Sequence, residues 1–351
     1  MPLLARTVAA PLAVHIQRGA VSRLEPLLAD GRISAHGDVA IAVGPGQGEA
    51  LAERLRNTVP RAKTFQVAGA SVESAHELMG HLRESFFDAV VGIGGGKTLD
   101  VAKYAATMVG LPFVAVATNL SHDGIASPVS SLESHGRKNS FGVHIPIAVI
   151  VDLDLVAASP PRHTRSGMGD VLSNLSAIAD WELAERETGE SLDGLAITLA
   201  RSAAESLLQR TDSVSDTSFL TSLAEGLFLS GMAMTVAGNS RPCSGACHEI
   251  SHAMDALFGS PGLHGEQVIV GALFASFLRQ DGLLEQLDHA CRVHGLPRTA
   301  DDLGLTTDEF VTAVEEAPST RPDRFTILEH LSLDRDEIRK RVDAFHEALD
   351  R

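Results

Sequence analysis

The stretch from His248 to His252 reads His-Glu-Ile-Ser-His, the spacing that zinc proteases use to place two metal ligands on one helix. Histidines four residues apart project from the same side of a helix, so this pair could bind a metal ion. The extended protease pattern also requires a glycine at position 255 and a histidine at position 258, where this chain has Asp255 and Phe258. The five-residue match therefore does not predict a protease.

A different set of ligands fits a catalytic metal site better. His264 begins a predicted helix after a Gly-Ser-Pro-Gly loop, so the chain can turn back and bring it towards His248. Asp170 is expected at the start of a helix that follows a proline-bearing linker, residues 159–165. One carboxylate and two imidazoles leave a coordination position open for substrate, as in catalytic zinc sites. His252 would face the same cavity as a substrate contact or proton relay, and ordinary core histidines are the alternative.

A glycine-rich turn joins a predicted strand to a predicted helix at residues 92–100, Gly-Ile-Gly-Gly-Gly-Lys-Thr-Leu-Asp. Glycines lack a Cβ atom, so backbone N–H groups there can approach a phosphate at the positive end of the helix. Both stock patterns fail by one residue, because Val91 occupies a Walker A glycine position and Lys97 a dinucleotide one. A simple tight turn needs fewer glycines and no lysine. We therefore predict phosphate binding, with Lys97 as a possible ligand contact and Asp100 near the first helical turn.

A second polar loop, residues 118–130, follows the next predicted strand. It contains Thr118, Ser121, Asp123 and Ser127, whose hydroxyl and carboxyl groups suit a nucleotide or a polyol. Ligands of parallel sheets bind at the carboxyl ends of the strands. Both loops are therefore expected to belong to one site.

The bulk composition excludes several classes of protein. The chain has 351 residues, a formal charge of −16 and only 4% aromatic residues, which disfavours a nucleic-acid partner. Three cysteines do not form a disulfide framework, and we expect Cys243 and Cys247 to be small buried residues. No apolar run approaches the ~20 residues of a membrane span, and the N-terminus lacks signal-peptide features. We expect a cytoplasmic protein.

The order of the predicted elements defines an α/β domain followed by a helical domain. Strands at 38–44, 63–69, 87–93, 112–118 and 146–156 alternate with helices at 71–85 and 98–109, which predicts a mainly parallel, Rossmann-like sheet. Beyond residue 158 nearly every segment has helical spacing. We predict a dinucleotide-binding domain over residues 1–158, an all-α domain for metal and substrate over 159–351, and the active site in the cleft between them.

These motifs together resemble the sn-glycerol-1-phosphate dehydrogenase family, within the iron-containing alcohol dehydrogenase and dehydroquinate synthase-like superfamily. The resemblance covers most of the chain and rests on the set of segments rather than on any one of them: GPGQG (44–48), GIGGGKTLDVAKYAA (92–106), TNLSHDGIASP (118–128), PIAVIVDLDLV (146–156), GMGDVLSNLSAIADWELA (167–184), SGACHEISHAMD (244–255), LHGEQV (263–268) and DRFTILEHL (323–331). Two features depart from the family pattern: Cys247 stands where relatives often carry Glu, and Asn119-Leu120 stand where small residues are common.

The resemblance implies a metal-dependent enzyme that reversibly reduces dihydroxyacetone phosphate with NADH or NADPH. It implies one divalent metal, usually Zn²⁺ with Ni²⁺ or Fe²⁺ as alternatives, and a homo-oligomer. The implied metal ligands are Asp170, His248 and His264; substrate contacts are Asp123, Asp170 and His252; nucleotide contacts are Gly94, Gly95, Gly96, Lys97, Asp100, Thr118, Ser121 and Ser127. Asp123 and His252 are the implied proton relays in catalysis.

Two alternatives remain open at this point. A dehydrogenase for unphosphorylated glycerol would share the Asp-His-His pattern, whereas a sugar-phosphate cyclase generally has Glu in place of Asp170. The choice between NAD and NADP is also open, because the strand ending at Val43-Gly44 lacks the acidic residue that would favour NAD.

Overall fold

A computed structural model describes residues 8–55, 59, 61–134 and 137–350 of the chain. The strands are β1 (Ala13–Gln17), β2 (Val39–Val43), β3 (Lys63–Gln66), β4 (Ala89–Gly94), β5 (Phe113–Ala117), β6 (Val129–Ser134), β7 (Arg137–Gly142) and β8 (Ala148–Asp152). Six of them form one parallel sheet in the order β1-β8-β5-β4-β2-β3, and β6 and β7 form an antiparallel hairpin.

The central strands are apolar on both faces, as a sheet covered by helices on each side requires. Alternate residues point to opposite faces, so Ile41 and Val91 pack on one side while Ala40 and Val90 pack on the other. The helices that cover the sheet or follow its strands are α1 (Leu24–Leu28), α2 (Gln47–Leu55), α3 (Val72–Glu84), α4 (Gly96–Val109) and α5 (Leu153–Ala157). The predicted parallel sheet is confirmed.

Local signals in the sequence explain several element boundaries. Ser71 is the N-cap of α3, and its hydroxyl accepts a hydrogen bond from the Ser74 N–H at 3.2 Å. The strand predicted over 146–156 was too long, since β8 ends at Asp152, whose carboxylate caps α5 through the Asp154 N–H. Strand β1 and the β6–β7 hairpin were not predicted. The apolar spacing of Leu51, Leu55 and Val59 predicts one helix face, but α2 ends at Leu55 and Val59 lies beyond it.

The second half of the described chain is helical, as predicted. Its helices are α6 (Pro161–Thr188), α7 (Gly194–Leu208), α8 (Thr217–Ala237), α9 (Ala246–Phe258), α10 (His264–Arg279), α11 (Leu283–His294), α12 (Thr307–Glu316), α13 (Ile327–Leu331) and α14 (Arg335–Leu349). The linker predicted at 159–165 is wrong in part, because α6 already begins at Pro161, a favourable first helical residue. Asp170 therefore lies well inside α6 rather than at its start.

Helix α8 is the one described helix that matches a membrane span by length and composition. However, 56% of its most apolar window is buried inside the protein, where it packs against α6 and α7. An apolar helix enclosed by other helices is a core helix.

Helices α6 and α10 cross unusually closely because glycines lie at their contact. A Cβ atom on Gly265 would be 1.7 Å from the carbonyl oxygen of Ser166, and one on Gly169 would be 2.3 Å from the carbonyl oxygen of Gly265. Both glycines are next to proposed metal ligands, Asp170 and His264. The close crossing therefore sets the distance between these two ligands.

We predict that Gly265→Ala lowers the free energy of unfolding by about 3 kcal/mol, because the new methyl group must push two backbones apart. Gly80→Ala is the matched control, since Gly80 is exposed on α3 with nothing within 4 Å of a built Cβ. The control is expected to gain about 0.5–1 kcal/mol. Urea unfolding of both variants measures the difference, and equal effects at the two positions would contradict the close-packing argument.

Candidate active site

A cavity of about 1800 Å³ runs along the carboxyl edge of the sheet and reaches the first turns of α9 and α10. It lies between the sheet and the helical half, as expected for the active site. Of the thirteen site residues predicted from the sequence, twelve line this cavity: Gly94, Gly95, Gly96, Lys97, Asp100, Thr118, Ser121, Asp123, Ser127, His248, His252 and His264. The thirteenth, Asp170, is buried and is not among the lining residues.

Asp170, His248 and His264 converge at one point, although they come from three different helices. Each offers one ligand atom, and these atoms all lie within 4.8 Å of one another. Oδ1 of Asp170 is 3.9 Å from Nε2 of His248 and 3.7 Å from Nε2 of His264. Ligands of a tetrahedral zinc ion lie roughly 3.3–3.6 Å apart, so a small inward movement would complete the coordination.

The electrostatics of this group also suit a cation. Burial lowers the pKa of His248 well below its usual value and that of His264 to about 3, so both imidazoles keep a free lone pair. Burial raises the pKa of Asp170 well above its usual value, and the neighbouring Asp123 raises it further. A divalent cation would offset that cost, because it pairs with the carboxylate and needs neutral imidazoles.

The surroundings of the three residues orient them. The backbone N–H of Asp123 donates to Oδ2 of Asp170 at 2.9 Å, which leaves Oδ1 facing the two histidines. Sγ of Cys247 lies 3.3 Å from Nδ1 of His248, and burial raises the pKa of this thiol to about 12. Cys243, Cys247 and Cys291 are buried and unpaired, which confirms the expectation for the first two.

His252 and Glu249 point in different directions from the same helix. The His252 ring lies 6.3 Å from that of His248 and lines the cavity, outside the ligand group. Glu249 is fully buried, and its Oε2 accepts a hydrogen bond from the Thr326 hydroxyl at 3.1 Å. Burial, with help from nearby Glu329, raises the pKa of Glu249 to about 8. Since Glu249 faces α13, the protease interpretation fails on geometry too.

The glycine turn at the end of β4 forms a close-fitting cradle. A Cβ on Gly94 would lie 2.6 Å from Cβ of Thr98, and one on Gly95 would lie 2.4 Å from Nδ2 of Asn119. Gly95 is the N-cap of α4, where unpaired N–H groups attract an anion. The side chains of Thr98, Asn119 and His122 pack against the turn, so only glycines leave its backbone N–H groups at the edge of the cavity.

A fully buried lysine holds the second loop in place. Nζ of Lys103 donates to the carbonyl oxygens of Gly124 and Ser127 at 2.8 and 3.1 Å, and it lies 3.5 Å from Oδ1 of Asp100. Burial lowers the pKa of Lys103, while Asp100 and Asp123 oppose that shift. Lys103 thus fixes the loop that carries Asp123, a role the sequence reasoning did not anticipate.

A second buried network holds together the helices that carry Asp170, His248 and His264. Oδ2 of Asp180 on α6 accepts the N–H of Ala246, the first residue of α9, at 2.8 Å. Its Oδ1 accepts from Arg279, the last residue of α10, at 2.7 Å and from the Ile327 N–H at the start of α13 at 3.2 Å. This carboxylate on α6 therefore contacts three other helices.

Two arginines that line the cavity were not singled out from the sequence. Arg324 donates to the Ser240 hydroxyl at 3.0 Å and to the Ser244 carbonyl, and Arg321 donates to the Ser140 hydroxyl at 3.2 Å. Within the described ranges, neither has a carboxylate within ion-pair distance. Burial, followed by the charge of neighbouring Arg321, lowers the pKa of Arg324 to about 10. Arg324 lies in the segment 323–331 of the resemblance, but arginine in a polar loop is too common a signal to indicate a site.

Comparison with known proteins identifies the family of this chain. Residues 15–160 match the family model described as iron-containing alcohol dehydrogenase. A glycerol-1-phosphate dehydrogenase [NAD(P)+] from Hyperthermus butylicus is 36% identical over 325 residues, 91% of this chain and 92% of the relative. One from Thermofilum pendens is 43% identical over 249 residues, 70% and 71% of the two chains.

Solved structures share the fold. Glycerol dehydrogenase from Schizosaccharomyces pombe superimposes with a TM-score of 0.76 at 21% identity, over 99% of this chain and 91% of that one. Sulfoacetaldehyde reductase from Bifidobacterium kashiwanohense, solved in complex with NAD+, gives 0.75 at 17% identity, over 97% and 99%. The matched family model and these relatives place the chain in the iron-containing alcohol dehydrogenase class. Within that class, the chain belongs to the glycerol-1-phosphate dehydrogenase family.

We predict that Asp170→Asn and His248→Gln each lower zinc affinity by more than about 100-fold, because outer-shell changes alone cost 10–100-fold in metal sites. His252→Gln is the matched control on the same helix and should retain the metal. Zinc content after dialysis and competition with a chelating dye measure both effects. Loss of zinc from His252→Gln, or its retention by Asp170→Asn, would mean that the ligand set is different.

Proposed function

We propose that this protein is a metal-dependent dehydrogenase that uses NADH or NADPH to reduce dihydroxyacetone phosphate reversibly to sn-glycerol 1-phosphate. The observation that carries the proposal is the shared cavity: the glycine turn at the start of α4 lines the same space as His248 and His264, whose ligand atoms lie within 4.8 Å of that of Asp170. The name common to the relatives, glycerol-1-phosphate dehydrogenase [NAD(P)+], supports the substrate and both coenzymes.

The residues fall into groups by their place in the cavity. We assign Asp170, His248 and His264 to a divalent metal, with zinc favoured because the donors are two nitrogens and one oxygen. We assign the glycine cradle and the polar loop to the nucleotide, through Gly94, Gly95, Gly96, Lys97, Asp100, Thr118, Ser121 and Ser127. Asp123, Asp170 and His252 are placed around the substrate.

When bound, the cation would polarise the substrate carbonyl and the nicotinamide would supply hydride. Reduction of a ketone also consumes one proton, which must be delivered to the new hydroxyl oxygen. Burial raises the pKa of Asp123, so its carboxyl group is suited to hold a proton beside the substrate. Burial lowers the pKa of His252 to about 3, so its neutral imidazole can relay a proton but does not store one.

The two cavity arginines favour a phosphorylated substrate over glycerol. Arg321 and Arg324 are close enough to His248 that their charges lower its pKa. Lys138, another cation that lines the cavity, is already paired with Asp255 at 2.9 Å. Two desolvated guanidinium groups without a carboxylate partner in the described residues match a phosphate dianion, which guanidinium binds through paired hydrogen bonds. Glycerol has no anionic group, so it would leave the charges of Arg321 and Arg324 without a counter-ion.

The proposal also covers the location, the partners and the assembly of the protein. The protein would act in the cytoplasm, it would need no nucleic acid, and it would assemble as a homo-oligomer as the family resemblance implies. Binding measurements with NADH and with NADPH would show which of the two coenzymes the protein prefers.

The direct test is oxidation of NADH and NADPH by the purified protein with dihydroxyacetone phosphate, followed by absorbance. Turnover should disappear after chelation, return on addition of Zn²⁺ and be much lower with unphosphorylated dihydroxyacetone. Equal turnover of both ketones would favour a polyol dehydrogenase, and turnover that survives chelation would rule out the metal mechanism. Chiral analysis of the product should identify sn-glycerol 1-phosphate.

We predict that Arg324→Met lowers kcat/KM for dihydroxyacetone phosphate by about 30- to 100-fold, since hydrogen bonds to charged groups contribute about 2–3 kcal/mol. Turnover of unphosphorylated dihydroxyacetone should change by less than about threefold, because it lacks the anionic group. Arg186→Met is the control, because Arg186 is exposed near the end of α6. An equal loss with both ketones would show that Arg324 acts on the fold rather than on the phosphate.

A further inference from the structure

His122 lies between the glycine cradle and the metal site, and it belongs to neither group of residues assigned above. Its ring is half-buried and lines the cavity. The ring centroid is 6.4 Å from that of His264. His122 therefore stands where the nucleotide and the substrate sites meet.

The orientation of the imidazole is fixed by its backbone neighbour. The N–H of Gly124 donates to Nδ1 of His122 at 3.0 Å, so Nδ1 must be an acceptor. In a neutral imidazole the proton then resides on Nε2. The hydrogen-bond donor of His122 is consequently Nε2.

Two glycines make room for the ring. A Cβ on Gly96 would lie 1.7 Å from Nε2 of His122, and a Cβ on Gly124 would lie 2.3 Å from Cε1. The ring thus occupies a slot that any side chain at position 96 or 124 would close. Gly96 is the first residue of α4, so Nε2 lies directly over the helix end that attracts an anion.

Within the described part of the chain, no acceptor receives a hydrogen bond from Nε2. The donor is therefore available to a ligand in the cavity. An anion held at the first turn of α4 is the acceptor that lies within its reach. The dinucleotide has one group of this kind at the glycine turn, its pyrophosphate.

We propose that His122 is a nucleotide-binding residue whose Nε2–H donates to a pyrophosphate oxygen of NAD(P)H held over Gly96. This inference rests on the proposed function, because it takes the glycine cradle to be the dinucleotide site. It assigns the third glycine of the turn a specific purpose, which is to admit the imidazole. It also links the nucleotide to the metal site, because the loop that holds His122 donates the Asp123 N–H to Asp170.

Two amide variants separate the donor from the structural role of the ring. His122→Asn can still accept the Gly124 N–H but has no donor at the position of Nε2. His122→Gln can place its side-chain N–H near that position. We expect His122→Asn to weaken NADH binding by about tenfold or more, and His122→Gln to remain within about threefold of the unchanged protein.

The measurement is NADH fluorescence titration of the zinc-loaded protein, with ADP-ribose as a competitor that carries the pyrophosphate but no nicotinamide. ADP-ribose binding should weaken by the same factor as NADH binding, while the thermal unfolding midpoint and zinc affinity stay unchanged. Unaltered NADH affinity in His122→Asn, equal losses in both variants, or a loss for NADH but not ADP-ribose would overturn the assignment. Failure of the unchanged protein to bind NADH and NADPH would instead overturn the proposed function itself.

Discussion

The buried carboxylate of Asp180 is the interaction on which the geometry of the metal site depends. Its two oxygens accept hydrogen bonds from α9, α10 and α13, while its own backbone belongs to α6. Burying an ion is costly unless every lone pair finds a donor, and here the donors include the guanidinium of Arg279. The four helices cannot separate without leaving a charge buried and unpaired.

The same carboxylate explains why a glycine precedes α9. A Cβ on Gly245 would lie 2.4 Å from Oδ2 of Asp180, so only glycine lets the helix start approach so closely. The N-terminal end of a helix carries a partial positive charge, which the carboxylate stabilises. His248 lies in the first turn of that helix, so anchoring its start also fixes the direction of the ligand. The closely packed glycines of α6 and α10 do the same for Asp170 and His264.

Much of this arrangement could be predicted from the sequence, because it depends on local residue patterns. Buried parallel strands are apolar throughout, and a run of glycines fits a tight turn before a helix, so the sheet and the turn between β4 and α4 were predicted correctly. The convergence of Asp170, His248 and His264 followed from donor type and from one loop reversal. The start of α6 was missed because prolines suggest a linker, although proline is also a favoured first helical residue.

The features that sequence reasoning missed depend on long-range contacts. Lys103 looks like a solvent-exposed helix residue, yet it is fully buried because two loop carbonyls and a carboxylate surround its ammonium group. Arg321 and Arg324 stand out only because the fold places both at the cavity without a carboxylate within ion-pair distance in the described chain, and local sequence does not show this. The division into domains at residue 158 remains a prediction.

The β6–β7 hairpin shows why the two halves of the molecule act as one site. Lys138 on β7 reaches Asp255 on α9 at 2.9 Å, and Asp255 in turn accepts from Gln267 on α10 at 2.9 Å. Gln267 also accepts from the Ser251 hydroxyl at 2.7 Å, so the chain of contacts ends on α9, which carries His248 and His252. The β6–β7 hairpin thus contacts α9 directly, and through Asp255 it is connected to α10. A movement of the hairpin relative to α9 and α10 would stretch these polar contacts. A substrate in the cavity would contact residues from both halves of the molecule.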